Sequence, residues 1–224
     1  MNLSKSFEFF DPGKCNDWIH IIGNGSVGSC IAELLARFGL TKFKLYDFDI
    51  VQPHNIVNQM FTAKHIGMPK VEALKEILLE INPEIGEHIV LKQNGWNEDP
   101  LDGYVFLAVD NIDLRRKIVQ DNMYNTFVKG MFDFRTGLTD GQHYAADWRD
   151  LKSKKALLET MKFTHESAQL TQHMSACNVS LCVAPTVRML TNAGVANFVN
   201  FVKGEHLYKQ IPIDAFSFML EPIG

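Results

Sequence analysis

The feature that most constrains this chain is a glycine-rich hexapeptide, Gly23-Asn24-Gly25-Ser26-Val27-Gly28, between an apolar run and a helical pattern. Trp18 to Ile22 precedes it as a predicted buried strand, and apolar residues recur at helical spacing from Val27 until Gly39. Glycines in this context let the backbone approach a phosphate, and the N-terminus of the helix supplies N–H donors. The order of strand, glycine turn and helix therefore predicts a nucleotide site.

A second predicted strand, Phe43 to Tyr46, ends at Asp47, which lies 19 positions after Gly28. At the end of that strand an aspartate is placed to accept a hydrogen bond from a ribose hydroxyl. A tight packing turn with a capping aspartate is the alternative. These residues alone leave NAD, FAD and ATP open as the nucleotide.

The rest of the pattern predicts an α/β fold: a Rossmann-like, mostly parallel sheet with flanking helices and antiparallel strands toward the C-terminal half. Without a linker or a repeat, one domain over residues 1–224 is expected, with an N-terminal arm at 1–16 and a long crossover loop at 164–183. Further strands are predicted at 88–92, 104–109, 127–134, 142–148 and 207–220, and further helices at 69–81, 113–120, 151–163 and 185–202.

Composition excludes several classes of function. The 22 Lys and Arg against 26 Asp and Glu leave a net charge of −4, so a nucleic-acid partner is not expected. No apolar stretch approaches the ~20 residues of a membrane span, and the N-terminus lacks the order of a secretory signal. With four cysteines and no C-x-x-C pair, reduced thiols and a cytoplasmic location are expected.

An ordered set of further motifs closely resembles the ubiquitin-activating-enzyme-like adenylyltransferases, and above all their small bacterial ThiF/MoeB/HesA type. The resemblance runs from about Trp18 to Gly204 and is far more specific than the glycines. The motifs are Asp47-Phe48-Asp49-Ile50-Val51, Asn55, Asn58-Gln59, the segment from Gly67 to Ala73, Ile81-Asn82-Pro83 and Val109-Asp110-Asn111.

Proteins of this family bind ATP and Mg²⁺, adenylate the C-terminal glycine of a small ubiquitin-like or sulfur-carrier protein, or sometimes a peptide, and release pyrophosphate. The resemblance therefore implies the same cofactors and the same class of partner here. The nucleotide-binding residues that it implies are Gly23, Gly25, Gly28, Asp47, Asp49, Asn55, Gln59 and Lys70.

Two of the matched residues are implied to carry the chemistry. Lys70 matches the lysine that contacts the triphosphate, where an ammonium would neutralise the charge that builds as pyrophosphate leaves. Asp110 matches the carboxylate that holds Mg²⁺. Simpler roles remain open: a solvated lysine in a first helical turn, and a cap for the helix near Asp113. Asn55 and Gln59 could equally be surface amides of a loop.

Cys177 lies seven positions before Ala184-Pro185 and matches the crossover-loop cysteine that, in some members, forms a covalent link with the activated carrier. Its thiolate could attack the acyl adenylate, and His165 or His173 could lower its pKa. An incidental or structural cysteine is the alternative. The remaining cysteines are expected to pack in the interior: Cys15, Cys30 and Cys182.

The chain departs from the family pattern at three points. Asn58 stands where the family usually has an arginine before the glutamine, and the arm lacks the arginine that family dimers donate across their interface. The paired C-x-x-C zinc motif is also absent, so no structural zinc is expected. Three arginines are candidates to replace the missing contacts, although solvated charge is the simpler expectation for the first two: Arg115, Arg116 and Arg135.

The leading prediction is thus an ATP-dependent adenylyltransferase. A nucleotide-binding scaffold that has lost catalysis is the first alternative, and an NAD or FAD oxidoreductase is the second. A symmetric homodimer is also expected, from family habit and from apolar arm residues that look exposed, Phe7, Phe9 and Phe10.

Overall fold

The computed structural model describes residues 1–170 and 181–224. The strands are β1 (Ile19–Ile22), β2 (Phe43–Tyr46), β3 (Ile89–Lys92), β4 (Gly103–Leu107), β5 (Val128–Thr136), β6 (Asp140–Asp147), β7 (Gln210–Asp214) and β8 (Met219–Leu220). The α-helices are α1 (Ser26–Arg37), α2 (Lys70–Ile81), α3 (Ile112–Asp121), α4 (Leu151–Glu159), α5 (His165–Gln169) and α6 (Ala184–Lys203). Short 3₁₀ helices lie at Pro12–Lys14, Pro53–Val57, Ala63–His65 and Pro83–Glu87.

The strands form one sheet in the order β3-β2-β1-β4-β5-β6-β7-β8. Strands β1 to β5 run parallel to one another, and β6, β7 and β8 each pair antiparallel with the strand before it. The predicted α/β class and the antiparallel C-terminal half are therefore confirmed. The order reverses at β1, which lies between β2 and β4, and open sheets of this kind bind ligands beyond the carboxyl ends of the strands at such a reversal.

Helices cover both faces of the sheet. Buried residues of α1, α2 and α6 pack with β1 and β2 in one core, and those of α3 and α4 pack with β4 in the other. Because both faces are covered, the central strands are apolar on both sides, which explains why they read as continuous apolar runs. No helix within 1–170 or 181–224 is long and apolar enough to cross a membrane.

Three predicted elements differ from the structure. The crossover loop predicted at 164–183 contains the short helix α5, His165–Gln169. The helix predicted at 151–163 ends at Glu159, and the strand predicted at 207–220 is divided into β7 and β8. The division follows from Asp214, whose side chain accepts hydrogen bonds from the N–H groups of Phe216 and Ser217 and so turns the chain.

The arm is only partly exposed, so the expectation for Phe10 is wrong. Phe10 is buried and packs edge to face against Phe38, with ring centroids 5.6 Å apart. Phe7 and Phe9 are exposed, as expected, although the Lys203 ammonium lies 3.9 Å from the centroid of the Phe9 ring. The arm is therefore anchored by Phe10 and presents only the other two rings.

Candidate functional site

The glycine-rich turn joins β1 to α1 and contains two glycines that are needed for packing. Gly23 has a φ of +92°, and a methyl group there would lie 2.7 Å from the carbonyl group of Ala108. A methyl group at Gly28 would overlap the Gly23 carbonyl oxygen. Side chains are therefore excluded at both positions by backbone atoms of the turn itself and of the β4–α3 loop.

Gly25 differs from these two glycines because its surroundings are open. The nearest atom to a methyl group at Gly25 would be Gln59 Nε2, 3.9 Å away. Gly25 is the N-cap of α1 and provides no side-chain cap. The N–H groups of Ser26, Val27 and Gly28 consequently have no hydrogen-bond partner in the described part of the chain. Such a set of free donors is suited to a phosphate.

Asp47 lies beside this turn and holds part of it. Its Oδ2 accepts a hydrogen bond from Asn24 N (2.6 Å), and its Oδ1 accepts one from Asp49 N (2.9 Å). Burial raises the pKa of Asp47 above its usual value, while the positive charge of Lys70 and the two N–H groups partly offset that rise. The capping role is thus real, and the carboxylate oxygens retain lone pairs for a ligand hydroxyl.

Lys70 begins α2 and is buried, so the solvated lysine is the wrong interpretation. Its Nζ donates to Asp49 Oδ2 at 2.7 Å, and its backbone N–H donates to the Asp49 carbonyl at 2.9 Å. The β2–α2 connection makes this meeting possible, because it folds back through an antiparallel bridge between Ile50 and Pro69. The ammonium is therefore held next to Asp47 by a carboxylate that is itself half-exposed.

The three amides near this turn have different surroundings. Asn55 is buried and accepts from Gln52 N (2.8 Å), so it orders its own loop and is no surface amide. Gln59 Oε1 is buried without a partner among the described residues. Asn24 Oδ1 is in the same condition, while its Nδ2 donates to the Ile21 carbonyl. These two buried acceptors beside one glycine turn are available to a donor from outside the protein.

Asn24 was missed by sequence reasoning, although it stands inside the glycine motif. Asn58, the residue in place of the family arginine, donates instead to the Cys182 carbonyl at 2.9 Å. It therefore ties its loop to the segment that precedes α6.

Asp110 follows β4 and is exposed at the carboxyl edge of the sheet. Its side chain makes no hydrogen bond or ion pair with any residue in 1–170 or 181–224. It is not the helix cap, because Asn111 occupies that position and accepts from Asp113 N (2.9 Å) and Leu114 N (3.1 Å). The capping alternative for Asp110 is wrong, and its carboxylate is left available.

The three candidate arginines are all engaged inside the protein. Arg115 is buried against Asp133, which overturns the expectation of a solvated charge. Arg116 donates to the carbonyls of Met161 and Phe163. Arg135 donates to Asp133 Oδ2 (2.6 Å) and lies 4.5 Å from the centre of the Tyr144 ring. Asp133 was missed, although an aspartate inside an apolar strand already indicates a buried pair.

The cysteines divide by burial. Cys15 and Cys30 are buried as expected, and burial raises the pKa of their thiols to about 12 and about 11. Cys182 is half-buried and packs at the edge of the core. Cys177 lies outside the described residues, as does His173. In the described part of the chain, no group of three or more His, Cys, Asp or Glu could hold a metal ion.

Comparison with known proteins gives a family match over most of the chain. The profile described as "ThiF family" matches residues 16–219. Among curated proteins, ubiquitin-like modifier-activating enzyme 5 of Arabidopsis thaliana is 40% identical over 67 residues, which is 30% of this chain and 16% of that protein. The corresponding enzyme of Drosophila mojavensis is 34% identical over 97 residues, 43% of this chain and 22% of that protein.

Solved structures share the fold over nearly the whole chain. A structure of E. coli MccB with ATP has a TM-score of 0.66 at 17% identity and covers 94% of this chain and 64% of that one. A structure of PaaA has a TM-score of 0.66 at 17% identity and covers 92% and 64%. The chain thus spans less than a quarter of these curated relatives and just under two thirds of these solved chains.

Proposed function

The chain belongs to the ThiF family, and from that premise we propose that it is an ATP-dependent adenylyltransferase. Its substrate would be the C-terminal carboxylate of a small ubiquitin-like or sulfur-carrier protein, or of a peptide. The observation that carries the proposal is the group at the sheet reversal. It comprises the buried ammonium of Lys70 together with three N–H groups of α1 and the Asp110 carboxylate, which have no partner among residues 1–170 and 181–224.

The relatives support this class of substrate. Ubiquitin-like modifier-activating enzymes match this chain in sequence, and MccB has been crystallised both with ATP and with MccA. A protein or peptide carboxylate is therefore the expected second substrate. The length of the chain relative to these proteins leaves its full activity as a proposal.

In the proposed reaction a carboxylate oxygen attacks the α-phosphorus of ATP. The bond between the α-phosphorus and the bridging oxygen breaks, pyrophosphate leaves with that electron pair, and an acyl adenylate forms. Negative charge builds on the departing phosphates, where preorganised donors lower the barrier most. The α1 N–H groups and Lys70 would supply those donors, and Lys70 would exchange Asp49 for a phosphate oxygen.

Asp110 fits a Mg²⁺ ion that accompanies the triphosphate. Mg²⁺ is usually held by one or two carboxylates together with phosphate oxygens and water, so a single free carboxylate is sufficient. The ion would supply charge neutralisation on the phosphates. Asp110 would orient it from the carboxyl end of β4, and the glycine turn packs directly against this loop through Gly23 and Ala108.

The adenosine would lie on the other side of the turn, toward β3. Asp47 would accept hydrogen bonds from the ribose hydroxyls, and its backbone N–H donates to the Lys92 carbonyl at the end of β3. A pocket of about 270 Å³ adjoins this point and is lined by polar side chains that could bind a purine edge, among them Gln93, Asn94 and Asn97.

A scaffold that binds the nucleotide without catalysis is the second candidate. It is favoured by Asn58, which holds Cys182 where the family has an arginine, and by the internal contacts of Arg115, Arg116 and Arg135. None of the three arginines is free to replace the missing phosphate contact without breaking a described contact. Detection of an acyl adenylate would exclude this candidate.

A thermal shift distinguishes an ATP site from an NAD or FAD site without a known carrier. Ligand at ~100 times its Kd adds about 2.7 kcal/mol, or roughly 5–10 °C for a domain of this size. We expect a shift with MgATP that is much smaller in Asp110→Ala at the same MgATP concentration. A shift with NAD or FAD but not with MgATP would instead support an oxidoreductase. No shift with any of the three ligands would contradict a nucleotide site.

Cys177 is proposed as the acceptor of the activated acyl group. Its thiolate would attack the acyl carbon and form a thioester. The bond between that carbon and the AMP oxygen would break, and AMP would leave with the electron pair. With a cognate carrier, a thiol-sensitive conjugate should form in wild type and in Cys182→Ser but not in Cys177→Ser. A conjugate that survives Cys177→Ser would reject this role.

We also propose that residues 1–224 form one domain, that the protein is a homodimer and that it is located in the cytoplasm. The exposed rings of Phe7 and Phe9 support the dimer, and the lack of any C-x-x-C pair supports a reducing compartment. Light scattering should give about twice 25.4 kDa at micromolar concentration. A particle of a single chain mass would contradict the dimer.

A further inference from the structure

The loop between β4 and α3 is held on both sides of Asp110 but not at Asp110 itself. Val109 precedes it, and the Val109 carbonyl accepts a hydrogen bond from Arg115. Asn111 follows it and caps α3. The Asp110 side chain has no partner of its own in the described part of the chain. The backbone of Asp110 is therefore anchored by its two neighbours, while its carboxylate has no partner among the described residues.

Arg115 is the first anchor, and its guanidinium donates hydrogen bonds to backbone carbonyls near the carboxyl ends of two strands. Nε donates to the Val109 carbonyl at 2.7 Å, and Nη2 donates to the same oxygen. Nη1 donates to the carbonyls of Leu107 (3.1 Å) and Phe134 (2.7 Å). The side chain thus joins the carboxyl ends of β4 and β5 beneath the Asp110 loop, which only a planar fork of donors can do.

A second charge keeps Arg115 in this place. Asp133 is fully buried and pairs through Oδ1 with Arg115 and through Oδ2 with Arg135. Arg135 then donates to the carbonyl and the hydroxyl of Thr160, both at 2.8 Å. A buried carboxylate with two such partners is a fixed point, because removing either partner would leave a charge unpaired in the interior.

Asn111 is the second anchor and acts from the other side. Its Oδ1 accepts the N–H groups of Asp113 and Leu114, so the backbone conformation at the start of α3 is set by this side chain. Asp150 makes the same pair of contacts at the start of α4, with Lys152 N and Ser153 N. The chain therefore contains a matched cap far from Asp110.

We propose that Arg115 and Asn111 are positioning residues for Asp110, which hold its backbone so that the unpaired carboxylate meets a phosphate-bound divalent cation. This inference rests on the proposed function. It assigns to the buried arginine and to the cap a role in cation affinity as well as in folding. Ligand-orienting partners of this kind typically change metal affinity 10–100-fold.

The test measures the Mg²⁺ concentration that gives half-maximal ATP binding, by calorimetry on the full chain without a carrier. Asn111→Ala and Arg115→Lys should each raise that concentration about tenfold or more. Asn111→Ser, which keeps a capping oxygen, should restore it. Two control variants should keep the wild-type Mg²⁺ concentration for half-maximal ATP binding. Asp150→Ala removes the corresponding cap of α4, and Arg116→Lys changes the neighbouring guanidinium.

A purely structural role is distinguished by a double variant. In Asp110→Ala, adding Asn111→Ala should produce no further change in Mg²⁺ dependence, because the group that it positions is gone. An additive change, or an equal shift in Asp150→Ala, would overturn the proposal, as would a wild-type Mg²⁺ dependence in Asn111→Ala. If Arg115→Lys does not fold, the Asn111 variants decide. If wild type itself does not bind MgATP, the proposed function fails instead.

Discussion

At the scale of single residues, the three charged groups of the site differ in their partners. Lys70 is paired with a half-exposed carboxylate, Asp47 is tied to backbone N–H groups, and Asp110 is unpaired among the residues that the structure describes. A nucleotide could therefore bind to each of these three groups by displacing only water or one exposed side chain. Such groups differ from the Arg115 and Asp133 pair, which is closed to ligands by burial.

Lys70→Ala tests the proposed phosphate contact. We expect pyrophosphate exchange with a cognate carrier to fall about 100-fold or more, which is typical for loss of one preorganised donor. Stability should fall modestly. The pair with half-exposed Asp49 contributes about 1 kcal/mol or less, and loss of the buried alkyl chain of Lys70 adds to the decrease.

The control for that substitution is Lys75→Ala on the same helix, which should keep the exchange rate. Thermal unfolding of both variants provides the second readout. An unchanged rate in Lys70→Ala would remove this lysine from the proposed site, and a large loss of stability would show that the ion pair with Asp49 is structural.

The residue types at these positions were predictable, and their partners were not. The strand-end aspartates and the first-turn lysine follow from strand and helix patterns in the sequence. The exchange of the capping role from Asp110 to Asn111 depends on where α3 begins, and a boundary that shifts by one residue decides which side chain is free.

At the scale of elements, the glycine turn combines packing with the proposed phosphate binding in one hexapeptide. Gly23 and Gly28 allow β1, α1 and the β4–α3 loop to approach each other, whereas Gly25 faces open space. The two roles can therefore be separated by adding a single methyl group.

Gly28→Ala and Gly25→Ala should have opposite outcomes. At Gly28 the new methyl group overlaps the Gly23 carbonyl, so we expect a loss of stability of about 1–3 kcal/mol or more. At Gly25 the backbone has φ −77° and ψ −143°, and the methyl group meets nothing closer than 3.9 Å, so we expect a smaller loss of stability and a fold that persists.

Binding provides the contrast between these glycine variants. Gly25→Ala should bind MgATP at least tenfold more weakly by calorimetry, because the methyl group would occupy the approach to the free α1 donors. Circular dichroism and chemical denaturation monitor the fold. Normal MgATP affinity in Gly25→Ala would indicate that phosphates do not bind at this turn.

Helix and strand positions in the first half of the chain were well predicted because their periodicities are long and uninterrupted. The last strands were less well predicted. The turn after β7 depends on a local aspartate that bonds to backbone two and three residues later, and an apolar run alone does not reveal such a turn.

At the scale of the whole molecule, two buried histidines link stability to pH. His143 is fully buried between β6 and α6, where Asn197 Nδ2 donates to its Nε2 at 3.1 Å and its Nδ1 donates to the Asp133 carbonyl at 3.2 Å. The amide of Asn197 is oriented by Tyr208, whose N–H donates to Oδ1. These contacts favour a neutral imidazole.

Burial lowers the pKa of His143 and of His20 from 6.5 to about 4. The unfolded chain therefore binds more protons than the folded chain between pH 4 and 6.5. The stabilisation is complete above pH 6.5 and is lost as the pH falls toward 4. For each histidine the loss between pH 7 and pH 5 should be about 2 kcal/mol.

Urea denaturation at pH 7 and pH 5 checks this dependence. His143→Gln should lose stability less steeply on acidification than wild type, although its stability at pH 7 should also be lower. His88→Gln, which removes an exposed imidazole, is the matched control. A pH dependence in His143→Gln as steep as in wild type would show that this histidine does not contribute to it.

The sequence by itself determined the class of fold, the glycine-rich turn and most of the charged groups at the carboxyl edge of the sheet. These follow from local patterns: apolar periodicity, glycines at fixed spacing and polar residues at strand ends. Family motifs added the type of chemistry, and the family match agrees with them.

Only the tertiary structure decided which of those groups are free. Arg115, Asp133 and Arg135 are separated along the chain and meet because β4 and β5 are neighbours in the sheet. Phe10 is buried because α1 ends at the ring that it contacts. Pairing and burial depend on contacts between distant segments, and those contacts, rather than residue type, determine whether a charge is closed in the interior or left available to a ligand.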